Sequence, residues 1–259
     1  MRIARFTLGE EPAYGVVEGD PGAEVLAVVD GDALYRGVSF TGERHPLAAA
    51  RLLAPVIPRS KVVCVGRNYA EHAAELGNEV PAEPLLFLKP NTAVVGPGDA
   101  IVYPPQSREV HFEGELAVVI GRLCRDVPPE RVGDVVFGYT CANDVTARDL
   151  QRRDGQWARA KGFDTFCPLG PWVETNLDVS DLAVTTTLNG ELRQAGRTSA
   201  LVHDVASLVA YVSAAMTLLP GDVLLTGTPA GVGAMEVGDE VSVTVEGIGT
   251  LTNRVVSRG

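Results

Sequence analysis

Two glutamates, Glu113 and Glu115, stand two residues apart in REVHFEGELAVVIG (108–121), and a third acid, Asp144, follows in TCANDVTARD. On a strand, residues two apart share one face, so the carboxylates of Glu113 and Glu115 would lie side by side and repel. The next five residues, 116–120, are all apolar, which suits a strand covered on both faces. Acids leading into such a strand are partly desolvated, and an unpaired carboxylate there is costly. A divalent cation is one of the few strong remedies. Three carboxylates with no soft ligand beside them describe a site for a hard cation: Mg²⁺, Mn²⁺ or Ca²⁺.

A second constellation lies upstream in GRNYAEHAAELG, where residues 70–76 are good helix formers and Gly77 is placed to cap their end. His72 and Glu75, at i and i+3, would share one helix face. An imidazole oriented by a carboxylate is a common general base. From spacing alone, a solvated helix with an ordinary ion pair explains the two residues better. Lys161 sits among Trp157, Phe163 and Phe166, an apolar setting that either lowers its pKa or aims it at an anion. Lys89, at the end of the apolar run PLLFLK, could face a site or snorkel outward. The glycine-rich TGTPAGVG (226–233) matches neither GxxxxGK[ST] nor a helix-opening GxGxxG, which sets nucleotides aside. Its amides and the Thr228 hydroxyl could hold a carboxylate, or the segment is a plain loop.

The elements that must position these groups read as many short strands with few helices. Residues 2–8 and 14–18 alternate as a strand pair around a turn at 9–12, and 25–29 forms a third strand. Residues 47–53 have helical spacing, stopped by Pro55 and Pro58. This opening, 1–58, is expected to be a small N-terminal α/β domain without catalytic residue types, leaving 59–259 as the catalytic domain. Beyond it, 62–65 and 135–141 are expected as buried strands, and 128–132 as one helical turn. The arginine-rich stretch 146–171 does not look like regular core. Asn189-Gly190 between alternating runs predicts a hairpin with a type I′ turn. Residues 201–219 are the longest expected helix, with Val205, Leu208, Val209, Val212 and Met216 as its apolar stripe. Two strands, 240–246 and 250–256, end the chain.

The 259 residues carry a formal net charge of −11 and no basic run, so nucleic acid and anionic membranes have no electrostatic footprint to grip. No window approaches a membrane span and no signal peptide is present, so the cytoplasm is the expected compartment. Cys64, Cys124, Cys141 and Cys167 share no short spacing and are expected as reduced core residues. The absence of GxSxG, HExxH and CxxC excludes the usual serine hydrolases, zincins and thioredoxin-like enzymes.

In unbroken order, GRNYAEHAAELG, FLKP, HFEGELAVVIG, GYTCANDVTARDLQ, AKGFDTFCPLGP and LLTGTPAGVG resemble the fumarylacetoacetate hydrolase family over residues 60–256. The opening domain is similar to that of bacterial members that act as hydroxyheptadienedioate isomerases or related enzymes. The resemblance implies an α+β fold, mainly β, of rolled mixed sheets around the active site, usually in a homodimer. It implies Glu113, Glu115 and Asp144 as ligands of Mg²⁺ or Mn²⁺, with Ca²⁺ able to substitute. His72 and Glu75 become the dyad that activates water, on a short helix able to act as a lid. Lys161 falls beside the metal, Thr228 at the substrate carboxylate, and Arg67, Lys89, Arg148 and Gln151 along the pocket. His111, on the strand of the glutamates, is expected to support them rather than to be a fourth ligand.

Such a site would bind a small 2-oxo acid or dicarboxylate, with the cation stabilising the enolate formed as a carbon–carbon bond breaks. Acylpyruvate hydrolysis or oxaloacetate decarboxylation is the leading expectation. The isomerase of 2-hydroxyhepta-2,4-diene-1,7-dioate in aromatic catabolism is the alternative, because it needs only proton transfer along the conjugated chain. A non-catalytic binding module would lack a ligand or the base, and neither is missing.

Overall fold

The computed structural model describes residues 1–9, 11–75 and 77–258. Its centre is the strand Gly114–Ile120, every residue of which is buried. It pairs antiparallel with Val136–Asn143 on one side and with Val223–Leu225 on the other. The apolar run is thus explained by cover on both faces, as expected, although within antiparallel neighbours. Val223–Leu225 continues parallel to Val62–Gly66, which pairs with Leu85–Lys89. On the far side Val136–Asn143 pairs with Cys167–Glu174, and that strand meets Arg2–Thr7. The opening strands Ala13–Glu18, Val25–Val29 and Phe40–Pro46 extend the sheet from there, and with Arg51–Leu53 on Arg2–Thr7 and Val94–Val95 on Cys167–Glu174 it has twelve strands among the described residues.

A five-stranded sheet packs beside it, ordered from Glu191–Arg197 through Ala183–Leu188, Glu240–Val245 and Gly249–Ser257 to Ala100–Tyr103. A third sheet, of three short strands, holds Val110–Phe112 between Thr146–Ala147 and Gly233–Met235. The fold is mainly β with a few helices, with mixed sheets, as the resemblance implied. Leu116, Val118 and Ile120 point into the core shared with Val184, Val243 and Val245 of the five-stranded sheet and with the long helix. Ala117 and Val119 point the other way, against Val62, Cys64, Leu169 and Leu225. Truncating Leu116 to alanine would cost about 2–5 kcal/mol, the usual range for a core leucine.

Local expectations fare unevenly. Asn189 and Gly190 both take positive φ, 53° and 80°, as a type I′ turn requires. The helix begins at Ala70 and its last described residue is Glu75, and Gly77 takes φ 67° as the expected cap; Leu76, like Glu10 of the first turn, lies outside the described residues. The longest described helix, Val205–Ala215, is shorter than its pattern at both ends, its start set by the Asp204 carboxylate, which caps it by accepting from Ser207 N. Met216 therefore falls at its C-cap. Residues 47–53 are not a helix: Leu47–Ala49 is a single 3₁₀ turn and Arg51–Leu53 is a strand paired with Arg2–Thr7. The stretch 146–171 is more regular than expected, with helices Arg148–Asp154 and Ala158–Lys161 and the start of the buried strand Cys167–Glu174. All four cysteines are free and buried. No described helix is long and apolar enough to cross a membrane.

Candidate active site

Glu113 occupies the joint between Val110–Phe112 and Gly114–Ile120, so the chain changes sheet at this residue. Its backbone is pinned to the third acid: Glu113 N donates to Asn143 Oδ1 at 2.9 Å and Asp144 N donates to Glu113 O at 2.8 Å. Although the strand breaks at Glu113, one carboxylate oxygen from each of Glu113, Glu115 and Asp144 lies within 4.8 Å of the others, so the two glutamates do bring their carboxylates together as their spacing predicts. His111, in contrast, belongs to the three-stranded sheet and turns to Glu109, 3.1 Å away.

Buried cations meet this cluster. Lys161, at the end of Ala158–Lys161, donates to Glu113 Oε2 at 2.8 Å and to Asp144 Oδ2 at 2.6 Å. Arg148 donates to the other oxygen of Glu113 and, at 2.6 Å, to Gln151 Oε1. Burial alone would push Glu113 up, but Lys161, Arg148 and His72 outweigh it and hold the carboxyl well below the usual range. Burial would lower Lys161, but Asp144 and Glu113 raise it, so the apolar setting does not make it a neutral amine. Lys89 is fully enclosed, donating to the carbonyls of Val145 at 3.0 Å and Lys161 at 2.6 Å. Its Nζ lies 2.7 Å from Asp144 Oδ1, an oxygen that receives no well-aligned hydrogen bond.

Glu115 differs. It is 2% exposed, and among the described residues its carboxylate accepts a hydrogen bond from Gly227 N at 2.6 Å and forms no ion pair. Burial, with Asp144 and Glu113 adding to it, pushes this carboxyl well above its ordinary value. Three hard oxygen donors within reach of one point, one of them buried without a cation, suit a divalent ion such as Mg²⁺ or Mn²⁺. Glu113, Glu115 and Asp144 are the residues that could hold it.

The glycine-rich loop serves these carboxylates rather than lying idle. Gly227 takes φ 106°, a Cβ there would press on the Asn68 side chain, and its N–H donates to Glu115. Farther on, Gly231 N donates to both oxygens of Glu75, at 3.1 and 3.2 Å. Thr228 Oγ1 donates to Gly114 O and accepts from Gln194 Nε2, at 2.9 and 2.7 Å. The amides expected as a nest for substrate are thus given to the protein's own acids.

A cavity of about 340 Å³ joins these groups, a size suited to a small metabolite. Arg67, His72, Glu113, Glu115, Asp144, Arg148, Gln151, Lys161 and Thr228 line it. Glu75 and Lys89 do not: Glu75 backs His72, with Oε2 at 3.2 Å from Nδ1, and Lys89 backs Asp144. The apolar wall is Phe87 and Trp157, whose rings meet edge to face at 5.2 Å. Sequence reasoning missed Arg152 and Asn78 on the wall, and Asn143 and Gln194 behind it. None of these has a spacing that points to the site.

The sequence pattern of the fumarylacetoacetate (FAA) hydrolase C-terminal family matches residues 61–256. The chain belongs to the fumarylacetoacetate hydrolase family. Residues 1–55 match a second pattern, the Rv2993c-like N-terminal family. The chain is 54% identical to a solved 5-carboxymethyl-2-hydroxymuconate delta-isomerase from Mycobacterium smegmatis, with a TM-score of 0.92 and 100% of both chains covered. It is 44% identical to a mitochondrial oxaloacetate tautomerase of Rattus norvegicus, across 99% of this chain and 92% of the relative. A fumarylpyruvate hydrolase from Pseudomonas aeruginosa, solved in complex with Mn²⁺ and pyruvate, is 37% identical over 80% of this chain and 92% of that one, with a TM-score of 0.74. The fumarylacetoacetate hydrolase family is one of enzymes, and these members act on small acids.

Proposed function

We propose that this protein is a divalent-cation-dependent enzyme that forms and reprotonates the enolate of a small 2-oxo dicarboxylic acid, as a tautomerase or isomerase. The observation that carries the reading is that His72, 5% exposed, lines the same cavity as the three clustered carboxylates. Full-length similarity to an oxaloacetate tautomerase and to a muconate isomerase supports proton transfer over the carbon–carbon cleavage that the sequence puts first. Residues 1–58 are then the small N-terminal domain and 59–259 the catalytic one.

Glu113, Glu115 and Asp144 would hold Mg²⁺ or Mn²⁺, which when bound would take up negative charge on the carboxylate and keto oxygens of the substrate. A carboxylate at Glu75 accepts from Nδ1–H of His72 and leaves Nε2 as the ring's base, able to move a proton at the carbon next to the keto group. Arg148 and Gln151, both lining the cavity, would meet a substrate carboxylate, and the apolar rings of Phe87 and Trp157 in the same lining would help exclude water. Lys161, tied to two of the acids, keeps a fixed positive charge beside the reacting oxygens.

A second reading, hydrolysis of an acylpyruvate, is favoured by the same His72–Glu75 pair, because a base that takes a proton from carbon can also take one from water. Oxaloacetate, acetylpyruvate, fumarylpyruvate and 2-hydroxyhepta-2,4-diene-1,7-dioate, each supplied with Mg²⁺ and with a chelator, separate the two. Rapid keto–enol interconversion that stops in chelator supports the first reading. Turnover of none of them, or rates indifferent to chelator, would overturn both.

A further inference from the structure

Gln194 lies on Glu191–Arg197, a strand of the five-stranded sheet that contributes no residue to the cavity wall, yet its side chain is fully buried against the site. Its Oε1 accepts from Gly114 N at 2.9 Å, and its Nε2 donates to Thr228 Oγ1 and to Pro229 O, both at 2.7 Å. Both amide protons are therefore committed. Gly114 is the residue between the two clustered glutamates, and its carbonyl is closed as well, by the Thr228 hydroxyl. The two polar backbone groups of the residue that joins Glu113 to Glu115 are thus fixed by one side-chain amide and the hydroxyl it holds.

The same amide governs the other half of the site. Thr228 and Pro229 lie between Gly227, whose N–H holds Glu115, and Gly231, whose N–H holds Glu75. Anchoring the middle of this loop fixes both ends. The fit leaves no slack: a Cβ on Gly114 would run into Thr186 Oγ1 and stand 3.3 Å from Gln194 Oε1, and a Cβ on Gly231 would collide with Arg193 O, next to Gln194.

We propose that Gln194 is a positioning residue that sets the carboxylate cluster and the His72–Glu75 dyad relative to one another through Gly114 and the 227–231 loop. The proposal rests on the proposed function, since it assigns Gln194 a part in building that site. It makes Gln194 matter for cation affinity as well as for turnover, although it touches neither cation ligand oxygens nor the cavity.

The test uses the full chain with Mn²⁺ as the probe. Gln194→Met keeps length and volume and removes all three hydrogen bonds. Calorimetric titration is expected to show Mn²⁺ binding weakened about 10-fold or more, the range usual for partners that orient metal ligands. Turnover of oxaloacetate is expected to fall mainly in kcat. Val245→Ala, a core truncation in the same sheet but one strand removed from that of Gln194, controls for general destabilisation and should lower Tm while leaving the Mn²⁺ affinity unchanged. A Gln194→Met protein with wild-type Mn²⁺ affinity and kcat overturns the proposal. Should that variant not fold, Thr228→Val removes only the hydroxyl link, and unchanged Mn²⁺ affinity there overturns it equally. Wild-type protein that binds no Mn²⁺ sinks the functional reading itself, whereas tight wild-type binding with indifferent variants sinks only the part given to Gln194.

Discussion

Gly231 N–H points at the Glu75 carboxylate and reaches both of its oxygens, at 3.1 and 3.2 Å, across 156 residues of chain. Glu75 sits on the short helix Ala70–Glu75, too short to be stable by itself, so this contact and the buried faces of His72 and Ala73 keep the dyad where the cavity needs it. A loop that follows a central strand therefore orients a base carried by a distant helix. The consequences can be measured.

Divalent cation should stabilise the fold through the carboxylate cluster. At a concentration about 100 times Kd, binding to the folded state alone adds about 2.7 kcal/mol, or roughly 5–10 °C in Tm for a chain of this size. Glu115→Gln is expected to melt close to the metal-free wild type, because that carboxyl is already disfavoured as an anion. Added Mn²⁺ should not shift its Tm. A full shift in the variant, read by differential scanning fluorimetry, would remove Glu115 from the ligand set.

His72→Ala separates steps that need a base from one that does not. Tautomerisation of oxaloacetate and hydrolysis of acetylpyruvate are expected to fall about 100-fold or more, and decarboxylation of oxaloacetate far less, since loss of CO₂ generates the enolate without proton abstraction. Equal losses in the three assays would contradict this division.

Lys89 should behave as a structural cation. Lys89→Met leaves two carbonyls and the Asp144 carboxylate without their buried donor. Breaking a buried pair in this way costs about 3–5 kcal/mol, measurable by urea unfolding. KM of the folded protein should change little. A large KM effect with unchanged stability would place Lys89 at the substrate instead.

Asp149 anchors the helix that carries Arg148 and Gln151. Burial works against its charge, but the Ser107 hydroxyl and the amides of Arg108 and Leu150 hold its carboxyl below the usual value. A depressed carboxyl contributes stability that is present above the unfolded value, about 3.9, and is lost as pH falls through the folded one. Asp149→Asn should therefore melt below wild type at pH 7, and the gap should close below about pH 4. A gap that is constant with pH would mean that the charge contributes nothing.

What could be read beforehand was whatever repeats locally. The apolar run 116–120, the Asn189-Gly190 turn and the apolar stripe of the long helix each declare themselves within a few residues. Cys167–Glu174 does not, because Pro168, Gly170 and Pro171 interrupt it, although it is buried between two strands of the central sheet. The helix Arg148–Asp154 was hidden for the opposite reason: it points arginines at a polar cavity, so its pattern reads as solvated loop. Gln194 sits in an alternating strand of which the neighbours are exposed, and nothing local distinguishes it from a surface glutamine. The acids of the site were legible by type; the amides of Gly227 and Gly231 that hold two of them belong to the backbone, which sequence composition does not describe.

The enclosure of Cys64, Cys124, Cys141 and Cys167 leaves no native thiol at the surface. A single cysteine placed at Glu71, exposed on the dyad helix, would then take up a maleimide dye alone in the folded protein. The label would report in real time whether that segment swings as an acid ligand enters, with the rest of the molecule optically silent.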